Sequence, residues 1–142
     1  MIHRKRQHGS GKSGYWAAWW YCDLYRTWID LVWPVDNEKV IDWCKRKYNC
    51  DIVDPGEFGG LHLSFAEGAN RTDIQLIGLN SFDPKDNEDY DSLAHEAFHA
   101  TRSIMADRGI PLSSDSNEAY AYLIGSIVRN SLKALDTHRR IT

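Results

Sequence analysis

Apolar and polar positions alternate most clearly in Leu61-His62-Leu63-Ser64-Phe65, where every second residue is apolar, the signature of a half-buried strand. Thr72 to Leu79 reads as a second strand, and the turn residues 67 to 71 between them predict a hairpin. Upstream, Tyr15 to Trp33 is dense in Trp, Tyr and β-branched residues, interrupted by the polar run Asp23 to Arg26, which predicts strands over 16–22 and 27–33. Pro34 stops the second of these. Asp36 then stands where a cap should, ahead of a helix over 37–48 that turns Val40, Ile41, Trp43 and Cys44 inward. Tyr90 to Arg108 contains no Gly or Pro and is rich in Ala and Leu, so it reads as a long helix closed by Gly109 and Pro111. A last helix should run from about Ser116 to Leu135. The order predicts an α+β fold, with a small antiparallel sheet made of two hairpins and two consecutive C-terminal helices.

Length and charge narrow this without changing it. At 142 residues the chain suits one domain with a real core, and its net charge of −3 does not suit a protein that coats nucleic acid or an anionic membrane. Residues 1–14 carry Arg4, Lys5, Arg6 and Lys12 among Gly and Ser and read as a mobile basic arm beside a domain over 15–142, so nucleic acid is not an expected partner. No apolar run reaches 18 residues, and the segment after the basic start is polar where a secretion signal would be apolar. Cys22, Cys44 and Cys50 form an odd set with no CxxC pair, which suits a reducing, intracellular compartment, and Cys44 and Cys50 read as small buried hydrophobes. The tryptophans read mainly as core, with an exposed aromatic surface for a protein partner as the functional alternative.

The candidate chemistry lies in Asp91-Ser-Leu-Ala-His95-Glu96-Ala-Phe-His99-Ala. Residues four apart share a helix face, so His95 and His99 can direct two imidazoles at one point, the HExxH arrangement that holds zinc. Glu96 would then stand beside the metal as a general base. Catalytic zinc needs a third protein donor and one open position. Positions three and six beyond His99 are Arg102 and Met105, which excludes the long HExxHxxGxxH pattern, and Asp107 points away after two turns. Glu118 remains, eighteen residues beyond His99, although Asp115-Ser-Asn-Glu118 also fits a capping box that would occupy the same carboxylate without a metal. Gly125, seven residues after Glu118, suggests close approach of the last helix to the HExxH helix. Arg102 shares the His95 face and reads as a surface ion-pair partner or a carboxylate-binding group, and His62 sits on the polar phase of its strand as a surface or partly buried histidine, with a substrate-facing role as the alternative.

HExxH, eighteen residues, and then Asn117-Glu118-Ala-Tyr120-Ala-Tyr122 resembles the gluzincin metallopeptidases, in particular the zinc aminopeptidase signature, over about thirty residues from Ala94 to Tyr122. The resemblance implies a zincin-like fold, Zn2+ held by His95, His99 and Glu118, Glu96 as the base, and a peptide or protein substrate. The same run is similar to small zincin-like proteins carried by phages, which implies an intracellular location. The Gly-x-Met-Glu-Asn element that holds a substrate's amino terminus is missing, since Gly68-Ala69-Asn70 lacks the Met-Glu pair, so exopeptidase specificity does not follow. Where thermolysin-like relatives place Asp four residues after the ligand Glu, this chain has Tyr122, whose hydroxyl is expected to hold a ligand imidazole or, like that of Tyr120, to assist at the substrate carbonyl. The competing expectation is a zinc-stabilised binding or accessory protein with weak or no proteolysis.

Overall fold

The computed structural model describes residues 5–10, 14–65 and 73–141, the backbone alone for 5–10 and 138–141. Five strands and three helices follow in the order β1 (Lys5–Ser10), β2 (Tyr15–Cys22), β3 (Thr27–Trp33), α1 (Asn37–Tyr48), β4 (Gly60–Phe65), β5 (Ile74–Leu79), α2 (Asn87–Asp107) and α3 (Asn117–Ile141). The strands form a single sheet in the order β1-β2-β3-β5-β4.

The α+β class stands, but the sheet is mixed rather than antiparallel. β2 pairs with β3 and β4 with β5 as hairpins, and β3 joins β5 in parallel with Ile29 opposite Gln75 and Leu31 opposite Ile77. Both strands bury side chains on both faces, as parallel neighbours in a covered sheet do. The expected mobile arm is also corrected in part. Lys5–Ser10 pair antiparallel with β2, because ladder hydrogen bonds are made by the main chain and an open strand edge accepts a polar segment as readily as an apolar one. Residues 1–4 and 11–13, and the turn expected at 67–71, lie outside the described residues.

Alternation along the strands builds two cores. Ala18, Trp20, Ile29, Leu31, Trp33, Ile77 and Leu79 face α2 and α3, where they meet Leu93, Ala97, Ile104, Tyr120 and Ile127. Tyr15, Ala17, Val32, Leu76 and Phe65 face the other way, against Val40, Trp43 and Cys44 of α1. The aromatic stretch therefore supplies core to both layers. α1 starts where expected, with the Asp36 carboxylate accepting the Lys39 N–H at 2.9 Å, and stops at Asn49 in the left-handed conformation. Cys44 is buried and Cys50 half-buried; burial pushes the Cys44 thiol up to about 12 and raises that of Cys22 as well, so neither is a thiolate at neutral pH. Among the described residues no helix is long and apolar enough to cross a membrane.

Candidate metal and catalytic site

α2 begins three residues earlier than the pattern suggested, because Asp86 caps it by accepting the Glu88 N–H at 2.9 Å. Its apolar residues Leu93, Ala97, Ala100 and Ile104 are buried against the sheet, which sets the rotation of the helix and leaves His95 and His99 on the exposed flank. Their Nε2 atoms lie 3.0 Å apart, with ring planes 70° from each other. Two nitrogens each about 2.0–2.1 Å from a tetrahedral zinc would be about 3.3 Å apart, so the separation of the pair, here a hydrogen bond between the rings, is compatible with a shared cation.

Glu96 behaves differently from its neighbours. It is only 7% exposed, and its Oε1 lies 4.0 Å from His95 Nε2. Burial raises its pKa from the ordinary carboxylate value, against the opposing influence of His95 and His99. That combination suits a group that must accept a proton and later release it.

The burial comes from β4. Gly60, His62 and Ser64 occupy alternate positions on this edge strand, and all three face α2. A Cβ at Gly60 would stand 2.9 Å from Glu96 Cγ and 3.3 Å from its Oε1, so only glycine permits this approach. The His62 ring lies nearly parallel to that of His99, 16° between planes and 6.4 Å between centroids. Ser103 donates a hydrogen bond to Ser64 Oγ at 3.0 Å. Gln75, fully buried on β5, holds the seam together: its Oε1 accepts from His62 Nε2 at 2.7 Å and its amide nitrogen donates to Ser64 Oγ at 3.1 Å. Burial lowers the His62 pKa, with the nearby His99 acting in the same direction and the Gln75 bond opposing it. Sequence reasoning left His62 between a surface or partly buried position and a substrate-facing one, and did not single out Gly60, Ser64, Gln75 or Ser103. A glycine pair just ahead of a strand of alternating residues was the one available signal.

Glu118 occupies the first turn of α3, exposed, and takes no hydrogen bond or ion pair among the described residues. The capping-box arrangement with Asp115 is therefore not formed. Ser116 accepts from the Ser113 N–H at 3.0 Å and donates to the Pro111 carbonyl at 2.5 Å, ordering the entry to α3 instead. Among the described residues no three His, Cys, Asp or Glu side chains are assembled around one point, so Glu118 is not brought onto the histidine pair. Tyr120 is buried with its hydroxyl donated to the Ile110 carbonyl at 2.6 Å, which removes it from the substrate side, whereas Tyr122 is 76% exposed. Arg102 is exposed and unpaired among the described residues. Gly125 is a correction: nothing lies within 4 Å of a Cβ built there, so it faces away from α2 and permits no close helix contact.

No family model, no curated protein and no solved structure matches the chain.

Proposed function

We propose that this chain is a zinc-dependent metallopeptidase whose site is the His95–Glu96–His99 flank of α2. The observation that carries the reading is the contrast within one helical turn: two exposed imidazole nitrogens 3.0 Å apart beside a carboxylate that is 7% exposed. Packing alone does not call for a glutamate held out of water with a raised pKa next to a pair of metal-compatible nitrogens.

Zinc at this pair supplies a water acidified toward about pH 7 and polarises a carbonyl. His95 and His99 would hold the ion, and Glu118, exposed on the first turn of α3 and not assembled with them, would have to move to supply the third donor. Tyr122, exposed four residues further along α3 and on the same face as Glu118, would assist at the ligand imidazole or the substrate carbonyl if that face turned to the ion. Glu96 takes a proton from the attacking water and returns it to the leaving amine, and its partial desolvation raises its proton affinity in the direction a base needs. β4 is the last strand on its side of the sheet among the described residues, and its outer edge would be where the backbone of an extended peptide pairs beside α2. This is the reason for preferring peptides over small esters or amides as the substrate class.

The test is a proteome-derived peptide library incubated with zinc-loaded protein and with Glu96→Gln. Cleavage by the first and none by the second, at equal metal content, is the expected result. Cleavage that survives in Glu96→Gln overturns the base assignment, and a loaded wild-type chain that cuts nothing overturns the peptidase reading.

A further inference from the structure

We propose that Arg102 sets the substrate class of the site by binding a carboxylate of the substrate, an acidic side chain or a free C-terminus, close to the scissile bond. This deepens the peptidase reading and rests on it.

Three observations carry it. The first is charge. α2 holds the acidic residues Glu88, Asp89, Asp91, Glu96 and Asp107, and Arg102 is its only Lys or Arg. Ion pairs along a helix form three or four residues apart, and those positions around Arg102 are Phe98, His99, Met105 and Ala106, none of them acidic. Arg102 is exposed and makes no ion pair or hydrogen bond among the described residues, so its guanidinium donors are open to a ligand. The second is position. Arg102 lies seven residues from His95 and three from His99, on the exposed flank of α2 that carries both. Side chains at such spacings have Cβ atoms about 5–6 Å apart. Helical side chains lean toward the N-terminus, so a long one at 102 covers the turn before it, which is the turn of Phe98 and His99. A substrate carbonyl held at the histidine pair brings residues one or two places away, at about 3.3 Å each, within reach of the guanidinium. The third is the wall beside it. Phe98 is a large apolar side chain left 37% exposed, with its ring 6.1 Å from that of His99. A peptide laid over Phe98 shields the guanidinium from water, and a charge-assisted pair formed there is stronger than one in open solvent. The planar fork of arginine meets a carboxylate through two parallel hydrogen bonds, which an ammonium group does not reproduce.

Zinc itself attracts carboxylates, so the experiment removes the guanidinium and keeps the ion. It uses the full-length zinc-loaded chain carrying Glu96→Gln, with metal content measured in every variant, and two sets of fluorescent ten-residue peptides. One set is amidated and neutral apart from a single Glu placed at each position in turn; the other is neutral throughout and ends in a free or an amidated C-terminus. Binding is read by anisotropy, independently of turnover. The expected result is one placement of the carboxylate that binds about tenfold more tightly than its neutral counterpart, and the set in which it occurs identifies the source as side chain or C-terminus. Arg102→Ala should abolish the preference, Arg102→Lys should keep only part of it, and Arg102→Glu should transfer it to peptides with Lys at that place. Arg129→Ala, exposed on α3, should leave it unchanged and so exclude an effect of overall charge. A preference that survives Arg102→Ala, or peptides that bind alike with and without the carboxylate, overturns the assignment of Arg102, as does a failure of every peptide to bind. The peptidase reading is judged separately, by whether the loaded chain with Glu96 intact cuts peptides at all.

Discussion

Glu96 can be buried because Gly60 has no side chain: a methyl group there would sit 2.9 Å from Glu96 Cγ, a separation that packed carbon atoms do not adopt. The edge strand and α2 are thereby fitted to each other at the residue proposed as the general base. Gly60→Ala should cost about 1–3 kcal/mol of stability through overpacking, and should lower turnover about tenfold to a hundredfold by moving the carboxylate. The neighbouring Gly59→Ala is the comparison, since its Cβ would meet only Ser92 Oγ at an ordinary 3.4 Å. Chemical denaturation and turnover of the two variants distinguish them, and equal behaviour would contradict the fit described here.

On the opposite face, Asp30 is buried beneath α1 and accepts a short hydrogen bond from the Tyr48 hydroxyl, which in turn accepts from Trp43 Nε1 at 3.1 Å. Burial pushes the Asp30 carboxyl up to about 6, against the lowering influence of the Tyr48 bond and the Lys47 charge. Because the folded value lies above the unfolded one, the protonated form favours the fold. This contribution, roughly 2–3 kcal/mol, is complete below about pH 4 and disappears as the pH rises through 6. Asp30→Asn carries no such charge, so its stability relative to wild type should rise between pH 4 and pH 7. Urea titrations across that range check it, and a constant difference would be the contrary result.

Arg108 closes α2 and ties it to the far end of the sheet. Its guanidinium pairs with Asp73 at 2.9 Å and donates to the Tyr25 and Arg26 carbonyls in the turn between β2 and β3. Asp73 is buried, so Arg108→Ala should lose about 2–3 kcal/mol, largely by leaving a carboxylate without its counter-charge. Adding Asp73→Asn in that background should recover part of the loss. Thermal denaturation of the four proteins of the cycle measures the coupling, and strict additivity would mean that the pair carries none.

Gly125 stands in the interior of α3 with open space above it. Replacing it with Ala should stabilise the chain by about 0.5–1 kcal/mol, the gain of helix propensity with nothing to clash against. A destabilised Gly125→Ala, measured by denaturant midpoint, would show that this face of α3 is covered.

These residues also mark where sequence reading works and where it stops. The Asp36 cap, the stop at Pro34, the aromatic strands and the HExxH helix are signals carried by a few neighbouring residues, and each appears at or near its expected place. The parallel pairing of β3 with β5 is not local, since the pairing partners are more than forty residues apart in the chain. β1 was missed because its sequence has no apolar phase, and main-chain pairing requires none. On the polar phase of β4 the sequence left a surface, half-buried or substrate-facing histidine open. Alternation establishes that two faces of a strand differ but not what covers each, and here the polar face meets α2 rather than solvent, which brings His62 and Gly60 to the site. Gly125 misled in the opposite sense: a glycine in a helix shows that Cβ is absent, and only the packing shows which way it faces.

The account depends on His95 and His99 sharing one cation, and metal content answers this most directly. Protein purified without chelators and exchanged against limiting zinc should hold one zinc ion per chain, His99→Ala should hold none, and Glu118→Gln should bind more weakly while unfolding at an unchanged temperature in the metal-free state. A wild-type chain that stays metal-free in the presence of zinc, or a His99→Ala variant that keeps its ion, would contradict it.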